Sequence, residues 1–334
     1  MTAGPVPRPA GVRLAGTGLS VPQRVLTNVD LSRFVDTSDE WITQRTGIKQ
    51  RYVLEENQSM RQLACAAVKQ AMDNAAISPG DLDLLICATM TPEMSCPATA
   101  CRIVAELGAT PAGALDISIA CSGFVYGLNM ADSLIRSGMY KHIAVVGVEA
   151  FSTILDWKDR RTCVLFGDGA GAAILSADDD PSRGSMYHTM NSDGSSWDSL
   201  YCPVKEHQIS KTNEYNDHLG TLQMNGREVY KFAVSTLMRT IRGTLKANQL
   251  EPNDVAMIIP HQSNARILES ARDKLGLTPE QLYINIDRYA NTSAASVPIC
   301  LHELMDAGKL KQGDMVLFVA LGGGMSWASN LWRL

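Results

Sequence analysis

This chain of 334 residues lacks the runs, pairs and charge balance that mark several large classes of protein. No apolar stretch approaches the roughly 20 residues needed to cross a bilayer, so no membrane partner is expected. The opening MTAGPVPRPAGVRLAG has no uninterrupted apolar core. It argues against a secretory signal and reads as a short disordered arm before a first strand. Eight cysteines occur without a C-x-x-C pair, so neither a disulfide ladder nor a zinc site is predicted. Cys65, Cys87, Cys163 and Cys300 sit in apolar segments and read as packing residues, and reduced thiols imply a cytoplasmic protein. A formal charge of −5 argues against nucleic acid as a general partner.

With 45% hydrophobic and 19% charged residues, the chain has the composition of a globular protein with a substantial core. Segments of strand character alternate with helical ones, which predicts α/β architecture. The second half parallels the first. The segment around Asp81 (ISPGDLDLLI) matches that around Asp254 (LEPNDVAMII). Asp116 (DISIAC) parallels Asp287 (DRYANT), and loops at Gly138 and Gly308 each precede an apolar strand. The offset in all three pairs is nearly constant, close to half the chain. Each half closes on a glycine-rich turn and strand, FGDGAGAAILS at 166–176 and LGGGMSWASNLW at 321–332. Three matches in register predict two copies of one α/β unit, 1–177 and 178–334.

The chemistry centres on DISIACSGFVYGL at 116–128. A strand turning sharply into a helix sets Cys121 at a helix N-terminus, where free N–H groups and the macrodipole favour a thiolate. A buried packing cysteine is the plain alternative. Its company tells against that: His261 in IIPHQSN, Asn291 in YANTSAAS and the late LGGG. The first unit contributes the thiol, the second a histidine and an amide, and a pseudo-dyad brings strand ends of both to one centre. Cys, His and amide together point to acyl-thioester chemistry, hence to an enzyme.

Two further stretches stand out. The polar segment 178–222, with Trp197 and Tyr201, reads as an insertion or lid, or as a plain surface excursion. The segment 226–249 reads as a helix with a local charge of +4, from Arg227, Lys231, Arg239, Arg242 and Lys246 against Glu228. Such a run is either a solvated face or a docking surface for an acidic partner.

Six motifs carry a resemblance to the β-ketoacyl-acyl-carrier-protein synthase III family of the thiolase superfamily. They are DTSDEWITQRTGI at 36–48, ACSGF around Cys121, DRRTCVLFGDGAGAA at 159–173, PHQSNARI at 260–267, NTSAASVP at 291–298 and the terminal GGG. The resemblance spans about residues 12–334. It implies the thiolase fold, five layers αβαβα from two related halves, and a homodimer. It also implies an acyltransferase that starts fatty-acid synthesis by condensing an acyl-CoA primer with malonyl-acyl-carrier protein. Acyl-CoA is then a substrate, and no cofactor or metal is implied.

Roles follow from the matched positions. Cys121 takes the acyl group, and the N–H groups of Cys121 and Gly323 form the oxyanion hole, each donor worth roughly 3–4 kcal/mol. His261 and Asn291 hold the thioester oxygen of the malonyl group while loss of CO₂ generates the carbanion. Trp41 and Arg160 sandwich the CoA adenine near Thr37, Arg45 and Arg266 face the phosphates, and Gly226 and Asn264 line the pantetheine tunnel. Lys231 and Arg266 receive the acidic carrier protein. Cys96, Phe151 and Phe166 belong to the acyl pocket. The family commonly has a large residue, often Phe, where Cys96 stands, which suggests room for a longer or branched primer; Phe151, where a smaller aliphatic is common, refills part of that space.

Rival readings remain at this level. The order Cys…His…Asn also suits papain-like proteases, whose His and Asn lie roughly 130–150 residues beyond the nucleophile, although their local signature is absent. Relatives of the same fold in secondary metabolism condense unusual starters or acylate oxygen and nitrogen. Non-catalytic chain-length partners lack the nucleophile that Cys121 supplies.

Overall fold

The structure, a computed structural model, describes residues 10–204 and 219–334. The terminal arm through residue 9, and residues 205–218 of the polar stretch, lie outside the described residues. The strands in chain order are β1 (Gly11–Ser20), β2 (Arg24–Thr27), β3 (Gln50–Val53), β4 (Leu84–Ala88), β5 (Gly113–Ile117), β6 (His142–Glu149), β7 (Gly169–Asp178), β8 (Gly184–Ser192), β9 (Leu200–Tyr201), β10 (Gln223–Met224), β11 (Met257–Pro260), β12 (Met315–Gly322) and β13 (Ser326–Arg333). The helices are α1 (Asn28–Leu31), α2 (Asp39–Thr46), α3 (Met60–Ala75), α4 (Thr99–Leu107), α5 (Gly123–Arg136), α6 (Gly226–Ala247), α7 (Ala265–Leu275), α8 (Ile286–Tyr289) and α9 (Ser296–Asp306).

Two sheets repeat one plan. The first runs β1-β7-β6-β4-β5 and the second, read in the same sense, β8-β13-β12-β11. In the first, β5, β4 and β6 run parallel and β7 and β1 follow antiparallel; in the second, β11 and β12 run parallel and β13 and β8 follow antiparallel. The strands β4 and β6 are buried along their whole length, so they read as unbroken apolar runs rather than alternating ones. The turns Pro79–Asp81 and Pro252–Asp254, each with proline at its start, feed β4 and β11. The layers follow from what packs on what. Apolar residues of α5 and α9 meet both sheets in one core, α3 and α4 cover the outer face of the first sheet, and α6 and α7 cover that of the second. The result is the five-layered αβαβα thiolase fold.

Local sequence explains the outer helices. On α6 the buried residues Ala233, Leu237, Ile241 and Leu245, with Thr236, Thr240 and Thr244, recur at three- and four-residue spacing and form one stripe. Asn225 caps its start by accepting from the Glu228 N–H. Ser59 and Gln62 form a capping box on α3. Among the described residues, no helix is long and apolar enough to cross a membrane.

Two expectations need correction. Asp116 lies in β5 but Asp287 lies in the short helix α8, so that parallel does not hold. The polar stretch 178–222 is not simply an insertion, because Gly184–Ser192 is β8, the edge strand of the second sheet. Its outward residues face solvent, so alternate polar side chains hid a strand.

Candidate active site

The chain leaves β5 at Ile117 and makes a tight turn over Ala120–Ser122 before α5 begins at Gly123. Ala120 has φ 47°, a left-handed conformation that costs a side-chain-bearing residue on the order of 1–3 kcal/mol. Ser293 has φ 49° in the corresponding turn of the second half, before α9. This register sets Cys121 opposite Ala294, where the second half carries no reactive group. The end of β12 braces the turn. A Cβ on Gly322 would lie 2.8 Å from the Cys121 nitrogen, so only glycine permits this approach.

Cys121 is buried, and burial pushes its thiol up to about 12, with the Glu149 carboxylate adding to the rise. The Ser293 hydroxyl and the residue's own N–H pull the other way without cancelling it. The expected thiolate-favouring helix end is therefore outweighed by desolvation, and the resting group is a thiol.

His261 follows β11 and extends its ladder by donating its backbone N–H to Val319 O at 2.8 Å. Its ring is buried, which pulls its pKa down to about 3 against the opposing effect of the Ser293 carbonyl, so the imidazole is neutral. Its Nδ1 lies 2.7 Å from Ser296 Oγ. Asn291 is locked to the segment before β7: its N–H donates to Leu165 O at 2.9 Å, and Gly167 N–H donates to Asn291 O at 3.1 Å. Ser293 N–H donates to Asn291 Oδ1 at 2.8 Å, leaving the amide's NH₂ group as its donor end.

Cys121, His261 and Asn291 line one cavity of about 110 Å³, together with Phe166, Gly226 and Asn264. Ser263 also lines it, and its buried hydroxyl finds no hydrogen-bond partner among the described residues. A second cavity, of about 220 Å³, also borders Cys121. Met90, Phe151, Phe166 and Leu222 make it apolar, and Gly323 stands at its rim. The rings of Phe151 and Phe166 stack with centroids 4.5 Å apart. Leu200 borders both cavities, so the polar stretch does reach the centre. Cys96 is exposed, in the loop between β4 and α4, and does not border either cavity.

Trp41, on α2, carries the Arg45 guanidinium 4.9 Å and the Arg160 guanidinium 5.4 Å from its ring centroid. Arg160 also donates to Asp36 O at 2.8 Å, so its ion-pair and stacking roles coexist. Thr37 Oγ1, nearby in sequence, is buried without a partner among the described residues. Asn264 caps α7 through Arg266 N–H and donates to Arg45 O at 3.1 Å, tying α7 to α2. Arg266 is exposed at the start of α7, and Lys231 on α6 pairs with Glu228 at 2.8 Å.

Sequence reasoning missed Glu149, Ser263, Ser293, Ser296 and Leu200. The three serines lie inside the HQSN and NTSAAS motifs, so their signal was adjacency to His261 and Asn291. Glu149 carried none. It is fully buried, has no salt bridge among the described residues, and accepts from Met90 N–H, Thr91 and Ser293 at 3.2, 2.8 and 3.0 Å. Burial lifts its carboxyl to about 7 against those hydrogen bonds.

Comparison with known proteins adds a second line of observation. Residues 115–194 match the family model described as 3-oxoacyl-acyl-carrier-protein (ACP) synthase III, and residues 245–334 match the model of its C-terminal part. A β-ketoacyl-acyl-carrier-protein synthase III from Caldanaerobacter subterraneus subsp. tengcongensis is 46% identical over 319 residues, 95% of this chain and 96% of that protein. The crystal structure of 3-oxoacyl-acyl-carrier-protein synthase III from Aquifex aeolicus VF5 superposes with a TM-score of 0.90 at 44% identity, covering 97% of this chain and 100% of that one. The priming β-ketosynthase of the R1128 polyketide pathway superposes with a TM-score of 0.91 at 32% identity, covering 98% of each chain.

Proposed function

The chain belongs to the β-ketoacyl-acyl-carrier-protein synthase III family, and from that premise we propose that it joins an acyl-CoA primer to malonyl-acyl-carrier protein through an acyl group held on Cys121. One observation supports this mechanism: Cys121 borders two cavities, one lined by Met90, Phe151 and Leu222 and the other holding His261 and Asn291. The first suits a saturated acyl chain. The second suits a thioester whose oxygen needs two neutral donors.

In the first half-reaction the Cys121 sulfur attacks the acyl-CoA carbonyl. The oxyanion faces the N–H groups of Cys121 and Gly323, and collapse breaks the bond to the CoA sulfur. The thiol proton leaves with CoA, so the high resting pKa of Cys121 is met by a leaving group that needs a proton. In the second, the malonyl C–C bond to CO₂ breaks and its electrons form an enolate. Hydrogen bonds from His261 and Asn291 stabilise that oxygen, each typically worth roughly 3–4 kcal/mol. The enolate carbon attacks the acyl carbon, and Cys121 leaves as a thiolate that takes a proton from solvent. A strong base is not required, and a neutral imidazole avoids a buried charge.

The CoA nucleotide is assigned to Trp41, Arg160, Thr37, Arg45 and Arg266, with Gly226 and Asn264 along the pantetheine path. Because Arg160 already stacks on Trp41, an adenine enters only as that guanidinium swings aside. The carrier protein, which is acidic, is assigned to Lys231 and Arg266. The enzyme works without a cofactor in the cytoplasm as a homodimer, in which Cys96 of one copy closes the acyl cavity of the other. The boundary between its halves falls at 177/178. A role in priming a polyketide rather than a fatty acid is a second reading, supported by the likeness to the R1128 ketosynthase. The reaction is tested by feeding carboxyl-labelled malonyl-carrier protein to the acylated enzyme; release of labelled CO₂ is expected, and none would refute decarboxylation.

A further inference from the structure

His261 and Asn291 can both act as donors only if each has its acceptor atom engaged elsewhere. For Asn291 that engagement is visible in the Ser293 N–H to Oδ1 bond of 2.8 Å. For His261 the matching contact is Nδ1 to Ser296 Oγ at 2.7 Å. Both orienting groups belong to one turn, 293–296, at the start of α9. An imidazole's free nitrogen takes its proton according to the bond that the other nitrogen makes. We propose that Ser296 is a positioning residue that donates its hydroxyl proton to His261 Nδ1 and thereby holds the ring as the Nε2–H tautomer, a donor into the cavity.

The hydrogen-bond inventory of Ser296 permits this. A hydroxyl has one proton and two lone pairs. Gln262 N–H, 3.3 Å away, occupies one lone pair. The proton has two acceptors in reach, His261 Nδ1 at 2.7 Å and Ser293 O at 2.9 Å. Ser293 O already accepts the backbone N–H of Ser296, so it stays paired when the hydroxyl turns to the ring. The opposite arrangement, with the ring proton on Nδ1, leaves a bare Nε2 facing the cavity. That ring could accept a proton from a thiol but could give no hydrogen bond to an enolate. Ser296 is itself 2% exposed, so water does not compete for the contact. Its role is to choose which of two tautomers a buried, neutral histidine adopts.

This role rests on the condensing function argued above, and it is tested first on the wild-type full chain, independently of activity. Protein labelled with ¹⁵N-histidine is examined by long-range ¹H–¹⁵N correlation, with the His261 signals identified by their loss in His261→Gln. The expected pattern is a bare Nδ1 and a protonated Nε2; a protonated Nδ1 in the wild type would overturn the proposal. In Ser296→Ala the Nε2–H preference should be lost. Losing one such donor should slow condensation about 100-fold, leaving acylation of Cys121 within about threefold, while Ser296→Thr keeps the hydroxyl and most of the rate. Equal slowing of both half-reactions with an unchanged tautomer would also overturn it. A wild-type chain that takes the acyl group but releases no CO₂ would instead sink the condensing reading, with the tautomer still decided by its spectrum.

Discussion

A methyl group added at Gly322 would lie 2.8 Å from the Cys121 nitrogen, 3.0 Å from the Ser122 nitrogen and 3.0 Å from the Ser326 hydroxyl. Heavy atoms in ordinary contact stand about 3.5 Å or more apart, so the backbone must give by roughly half an ångström. Two of the three neighbours are backbone nitrogens of the nucleophile turn, which has no rotamer to adjust. Overpacking of this kind costs about 1–3 kcal/mol. The larger effect should be on chemistry, because the displaced atoms include the sulfur's own N–H, half of the proposed oxyanion hole. A displacement approaching 1 Å near reacting groups costs about 100-fold, so Gly322→Ala should slow acylation by one to two powers of ten. Intact-protein mass spectra taken over time after mixing with acyl-CoA measure that rate, and a thermal melt measures the stability loss. Acyl-CoA affinity should stay close to wild type, since the proposed nucleotide site lies away at Trp41. Wild-type acylation in the variant would refute the claim that β12 positions the nucleophile.

Other outcomes follow from the same geometry. Phe151→Ala enlarges the apolar cavity at a cost of about 3–5 kcal/mol in stability, and should raise loading of long acyl-CoAs relative to short ones. An unchanged chain-length ranking would refute the pocket assignment. Lys231→Glu sets a second carboxylate beside Glu228 and should slow carrier-protein-dependent condensation several-fold at low salt while sparing acyl-CoA loading; equal loss of both would count against docking there. Glu149 titrates near 4.5 in the unfolded chain and about 7 in the fold. The fold therefore binds the proton more tightly: stability from this group is full below about 4.5 and declines as pH rises to about 7, by about 3 kcal/mol in all. Glu149→Gln should flatten that slope in urea titrations at pH 5 and pH 8, and parallel profiles would refute it.

Much of this architecture was legible because periodicity and repetition survive in the sequence. The basic segment 226–249 reads as a helix, and the structure has one at 226–247. The parallel between Asp81 and Asp254 matched two equivalent turns, since proline and a capping acid are local signals. What failed depended on burial. An edge strand with one wet face, β8, carries too few apolar residues to stand out from a loop. The Asp116–Asp287 parallel failed because one aspartate sits in a strand and the other in a one-turn helix, a difference that tertiary packing decides. The macrodipole at Cys121 could be read from the helix pattern, but the desolvation that exceeds it could not. Likewise the Ser296–His261 contact joins residues far apart in the chain, and only the fold brings them together.

The central claim is that Cys121 carries the acyl group between two substrates. Intact-protein mass spectrometry after incubation with a panel of acyl-CoAs, beside Cys121→Ala, tests it most directly. The account predicts one acyl adduct per chain, absent in the variant, which disappears as a β-ketoacyl product when malonyl-carrier protein is added. An adduct that persists in Cys121→Ala, or none with any acyl-CoA, would contradict it.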